Sequence, residues 1–194
     1  MARQHSARVL EMQRSIFRRV PYRGYFGRLG RFIQLVHGQN QPDREPLLPF
    51  TDGVVGPPGR HFVYAHVDIV KCATRSPWSE LSRADKALLV ASCLPHLDGQ
   101  MRSHGSLELL LVNGRTAYTE LATLLGVLGA SLHARSVPLH SRTATLAVGS
   151  LQVGDRKVRI VAWTANVVNQ HLAVAETQAL AHAVAEAVSA AVGP

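Results

Sequence analysis

The chain has 194 residues, 46% hydrophobic and 18% charged, enough apolar side chain for a packed core and too much for a wholly disordered protein. No stretch reaches the roughly 18 uninterrupted apolar residues of a membrane-spanning helix, and two cysteines are too few for a disulfide scaffold. The net charge of +8 is uneven: residues 1–31 hold eight arginines and one acid, Glu11, while the remainder is nearly neutral.

An arginine-rich, acid-poor arm favours phosphate backbones or acidic surfaces through counterion release. Two other readings stay open. The excess of 18 arginines over 3 lysines fits codon usage in a GC-rich genome, and the arm also has the composition of an organelle transit peptide. The first twenty residues lack the apolar core of a secretory signal, so a cytoplasmic location with reduced thiols is expected.

In chain order, Val9, Met12, Ile16 and Val20 fall on one helical face, and Pro21 stops that helix. Tyr22, Tyr25, Phe26, Leu29, Phe32, Ile33 and Val36 repeat at threes and fours, predicting a second amphipathic helix over 22–36 with a core-facing aromatic stripe. Residues 38–59 are rich in Pro, Gly, Asp and Asn and read as a long loop. Residues 61–72 alternate and then become continuously apolar, as a buried strand does. Ser82 and Asp85 form a capping-box pattern ahead of a helix over 83–102, bent at Pro95. A strand over 107–112 turns at Asn113-Gly114 into a helix over 115–125 closed by Gly126. Residues 132–138 form a third strand, and 143–152 and 157–163 a hairpin across Val153-Gly154-Asp155-Arg156. Leu172, Leu180, Val184, Val188 and Val192 line one side of a terminal helix over 167–192.

This order predicts an α/β fold, a three-layer α/β/α sandwich with a central, mainly parallel four-stranded sheet and an added β-hairpin. Residues 1–37 form a basic helical arm, 38–60 a loop and 61–194 the α/β domain. In open sheets of this class, ligands sit beyond the carboxyl ends of the parallel strands. Those ends are 68–74, 113–116 and 163–166.

Three segments, in order, resemble the iron–sulfur branch of the uracil-DNA glycosylase superfamily. Val67-Asp68-Ile69-Val70-Lys71-Cys72 is similar to its strand N-V-V-K-C, Cys93-Leu94-Pro95-His96-Leu97 to its C-x-P-x-L, and 109–117 (LLLVNGRTA) to its apolar strand, glycine and small-residue helix start. The resemblance covers 61–126 best. It implies an N-glycosidic bond hydrolase acting on uracil or another damaged base in single- or double-stranded DNA, with no membrane partner. The chain also departs from the family. Only Cys72 and Cys93 match cluster cysteines, so no iron–sulfur centre and no other cofactor is expected. The opening Gly/Pro loop with its water-positioning acid and the late His-Pro-Ser segment have no clear copies.

The resemblance assigns candidate roles. Asp68 stands at the family's base-reading Asn and is a candidate catalytic group; a buried pair with Lys71 is its structural alternative. His140 and Asn166 compete for the place of the missing histidine segment. Phe50 is similar to the family's stacking aromatic, or else a loop residue tucked into the core. Asn113 joins it as a base-binding candidate. Gly114, Arg115 and Thr116 open a helix whose free N–H groups and dipole favour an anion, and Arg142 extends that phosphate-binding set. A turn that needs Gly114 for its backbone alone is the other reading. The ten histidines include no H-E-x-x-H and no zinc-ligand spacing with cysteine, so no metal is expected. The alternatives to a glycosylase are a catalytically inactive nucleic-acid-binding relative and an α/β domain for a small phosphorylated ligand.

Overall fold

One strand is apolar on both sides, and the fold is built around it. In β6 (Arg156–Trp163) Val158, Ile160 and Ala162 face one side, Val161 and Trp163 the other, and all five are buried. A strand of that kind belongs inside a sheet. The computed structural model of the protein describes residues 22–39, 45–56, 59–66, 78–127, 132–168 and 172–192. There β6 is flanked by β3 (Leu109–Asn113) and β5 (Thr143–Val153), with β4 (Leu132–Pro138) outside β5, in the order β3-β6-β5-β4.

The sheet is mixed. Only β3 and β6 pair in parallel, Leu109 with Arg159 through Asn113 with Trp163. The pairs β4–β5 and β5–β6 are antiparallel. The expectation of a mainly parallel sheet with an added hairpin is therefore corrected: the hairpin strands are the centre of the sheet. The cause is turn chemistry. Gly154, at φ 59°, closes a two-residue turn between Val153 and Arg156, and so short a link joins only antiparallel neighbours.

Helices cover both faces. On one, α1 (Tyr22–Val36) and α5 (Val174–Val192) bring Phe32, Ile33, Leu180 and Val184 onto Leu146, Val161 and Trp163. On the other, α3 (Arg83–Ser103) and α4 (Arg115–Val127) bring Leu97, Met101 and Leu121 onto Val112, Leu151 and Ile160. Full burial of one such side chain is worth about 1.5–3 kcal/mol. In α1, Phe26, Leu29, Phe32, Ile33 and Val36 are buried in this core.

The described residues of 38–60 are not all loop. They hold α2 (Leu48–Thr51) and β1 (Val54–Gly56), because Leu47, Phe50 and Val54 are buried. Of the strand expected over 61–72, only Arg60–Phe62 forms one among the described residues, β2, paired antiparallel with β1 in a separate two-stranded sheet, and 63–66 are not in a strand. Residues 67–72 lie outside the described residues, as do the helix expected over 7–20 and Cys72.

The capping box forms as expected: the Ser82 side chain accepts from the Asp85 amide at 3.1 Å and donates to its carboxylate at 2.6 Å. Pro95 lies inside α3, and α4 continues through Gly126. The carboxyl end of α3 has a cap that sequence reading did not find. Arg156 donates to the carbonyls of Met101, Arg102, His104 and Leu107 at 2.7–3.4 Å. A guanidinium there satisfies orphan carbonyls and complements the helix dipole. Arg156→Ala should cost about 2 kcal/mol in urea denaturation, while neighbouring exposed Lys157→Ala should stay within about 0.5 kcal/mol. Equal effects would contradict this account of the helix end.

Candidate functional site

The two parallel strands end side by side, and one side chain joins them. The Asn113 carbonyl oxygen accepts from the Trp163 indole N–H at 3.1 Å and from the Val167 amide at 3.1 Å. Its amide donates to the Asn166 carbonyl oxygen at 3.5 Å, which also accepts from the Val168 amide at 3.0 Å. The chain therefore turns at 166–168, and α5 begins at Val174 rather than near 167.

Gly114 follows at φ 95°, with its amide on the Trp163 carbonyl at 2.9 Å. A Cβ on Gly114 would lie 3.1 Å from the Asn166 amide nitrogen. Both the backbone turn and this close approach call for glycine. Arg115 then opens α4, with an exposed side chain that makes no ion pair among the described residues.

A cleft of about 930 Å³ runs along the edge strand β3 as far as these ends, within the usual size of ligand sites. Phe50, Asn113, Gly114, Arg115, Thr116 and Asn166 all line it. Six of the expected site residues thus share one concavity. Their roles differ from the expectation in places. Asn113 has both lone pairs of its side-chain oxygen occupied, so only its N–H groups can serve a ligand. Asn166 uses its oxygen to hold the turn. Phe50 is buried, edge-on to Phe26 at a ring separation of 5.5 Å, and is a core residue whose ring borders the cleft.

His140 and Arg142 do not join them. They sit in the β4–β5 turn, two to three strand spacings of about 4.8 Å across the sheet from β3. His140 is exposed. Arg142 lies 3.9 Å from the buried carboxylate of Glu176. That carboxylate accepts from the Ser141 hydroxyl and amide at 2.6 and 3.0 Å and from the Ala173 amide at 3.1 Å. These bonds, with Arg142 adding to them, lower the Glu176 pKa to about 2. The turn is a clamp on the start of α5. Asp68 lies outside the described residues.

Sequence reading missed the wall opposite β3, formed by 60–66. Arg60 pairs there with Glu108. Phe62 stacks on His37 at 4.7 Å, and His37 Nε2 shares a 2.6 Å hydrogen bond with the Tyr64 hydroxyl. The alternation over 61–72 announced a strand there, but not that 60–66 line the cleft. Among the described residues, no cluster of three or more His, Cys, Asp or Glu is placed to hold a metal ion, and no helix is long and apolar enough to cross a membrane.

Comparison with protein-family models, curated proteins and solved structures found nothing that matches this chain.

Burial lowers the His37 pKa to about 4 and raises that of Tyr64. Between pH 6.5 and 4 the unfolded chain takes up a proton at this histidine that the folded chain refuses. The contribution of neutral His37 is thus complete above pH 6.5 and is lost as pH falls toward 4, up to about 3 kcal/mol. His37→Gln should remove this part of the pH dependence in urea denaturation across that range. An unchanged slope would contradict the buried, neutral state.

Proposed function

We propose that this protein binds DNA and accommodates an unstacked base in the strand-end cleft without hydrolysing its N-glycosidic bond. The observation that carries this reading is the convergence of Asn113–Thr116 with Asn166 at the carboxyl ends of the parallel pair, facing about 930 Å³ of space. A base outside the stack needs an apolar slot and a few polar groups for its edge. Leu109, Leu111 and Trp163 supply the slot, and Asn113 offers amide donors. Arg115 at the start of α4, which makes no ion pair among the described residues, suits the adjoining phosphate. The arginines of the N-terminal segment supply sequence-independent attraction to the backbone.

Binding is favoured over hydrolysis because the catalytic candidates do not assemble among the described residues. Asn166 is committed to the turn and His140 stands across the sheet. The resemblance to uracil-DNA glycosylases thus supports the inactive nucleic-acid-binding relative.

Fluorescence anisotropy with labelled single- and double-stranded oligonucleotides over a salt series tests the proposal. Binding should weaken steeply with salt. Deleting residues 1–20, which spares α1, should flatten that slope, and Arg115→Ala should reduce it by about 1. Uracil-containing DNA treated afterwards with alkali should show no more cleavage than an Asp68→Ala control. Cleavage above that control would make the protein a glycosylase. Failure to bind any oligonucleotide at low salt would overturn the DNA reading and favour a small phosphorylated ligand.

A further inference from the structure

We propose that the cleft takes a short single-stranded run, in which a neighbour of the base at the strand ends stacks on Tyr64; the inference rests on the DNA-binding reading above. The cleft follows β3 for its whole length, with Leu109, Leu111 and Asn113 on one side and Phe62, Tyr64 and His66 on the other. Its volume of about 930 Å³ is near the top of the range that holds a drug-sized molecule. A nucleobase is smaller than such a molecule, so one base at the strand ends leaves room along β3. The Arg60–Glu108 pair joins the two walls just before β3, and Arg115 stands just after it. A run of unpaired nucleotides fits between these two points.

The wall opposite β3 is aromatic on one side only. Phe62, Tyr64 and His66 are half-buried, while His61, Val63 and Ala65 between them are exposed. Phe62 and Tyr64 pack on the same core as Leu109, Leu111 and Trp163, so they lie on the face of the sheet where the base slot is. Tyr64 is held at both ends. Its amide donates to the Pro49 carbonyl at 2.8 Å, and its hydroxyl shares the 2.6 Å hydrogen bond with buried His37. A ring already fixed in place loses little freedom when a base stacks on it. With its hydroxyl engaged inside the protein, Tyr64 offers the cleft ring surface instead of a polar group, and stacking of that kind is tolerant of base identity. Phe62 is itself stacked on His37 at 4.7 Å and backs this arrangement.

The probes are three single-stranded oligonucleotides of equal length and charge. Their three central positions carry three thymines, one thymine between two abasic sites, or three abasic sites. The wild-type chain should bind the three-thymine probe about tenfold more tightly than the one-thymine probe, and that probe more tightly than the abasic one. Tyr64→Phe should keep the tenfold step, and Tyr64→Leu should remove most of it while the second step remains. A tyrosine with a purely structural role would instead weaken all three probes alike in Tyr64→Leu and keep their ratios, which would overturn its part as a platform. Equal binding of the three-thymine and one-thymine probes by the wild type would overturn the run of nucleotides and leave the single-base reading intact. Equal binding of all three probes, or of none, would overturn the base-holding cleft and this inference together.

Discussion

The side-chain amide of Asn113 joins the end of β3 to the Trp163 indole of β6 and to the turn that follows it. It holds the indole of Trp163 and the amide of Val167, and it touches Asn166. Trp163 is almost fully buried and lies against Phe32 of α1 at 5.2 Å. The packing of one face of the sheet is therefore transmitted to the strand ends and to the 166–168 turn. Each such hydrogen bond adds only about 1 kcal/mol, but an unmatched indole N–H and amide buried there would cost more than the bonds contribute. Gly114 completes the joint, because the space a Cβ would need is taken by Asn166.

The same logic explains why some polar residues that look functional are structural. Glu176 satisfies the Ala173 amide at the start of α5 and the Ser141 amide of the β4–β5 turn, Arg156 satisfies carbonyls at the end of α3, and each lies far in sequence from some of its partners. His140 and Arg142 belong to the turn that the Glu176 carboxylate holds. A basic residue after a strand is a reasonable phosphate ligand until its carboxylate partner is known. That partner lies on a helix more than thirty residues away.

The elements that sequence reading found are those with local periodicity. The stripe on 22–36 and the apolar run before Asn113 reflect burial of a face by its own residues, while the helix over 83–102 was marked by its Ser82–Asp85 capping box and the hairpin by its turn at Gly154. The pairing of those elements is non-local, and there the expectation failed. An apolar run such as Leu109–Asn113 looks alike in parallel and antiparallel sheets, and the single parallel pair is set by a crossover that periodicity does not record. The start of α5 shifted because Asn113, some fifty residues earlier, holds the intervening turn. At the site, the glycine after an apolar strand marked Asn113–Thr116 correctly as a strand end facing open space. The wall over 60–66 depends on His37 meeting Phe62 and Tyr64, and that meeting left no pattern to read.

The central claim is that the base sits at the ends of β3 and β6. Amide chemical shifts of isotope-labelled protein, followed while a short single-stranded oligonucleotide is added at moderate salt, test it most directly. The account predicts large, saturable shifts at Asn113, Gly114, Arg115 and Thr116, with smaller ones in the 166–168 turn. Saturable binding that leaves those amides unmoved, and shifts only residues elsewhere on the chain, would contradict it.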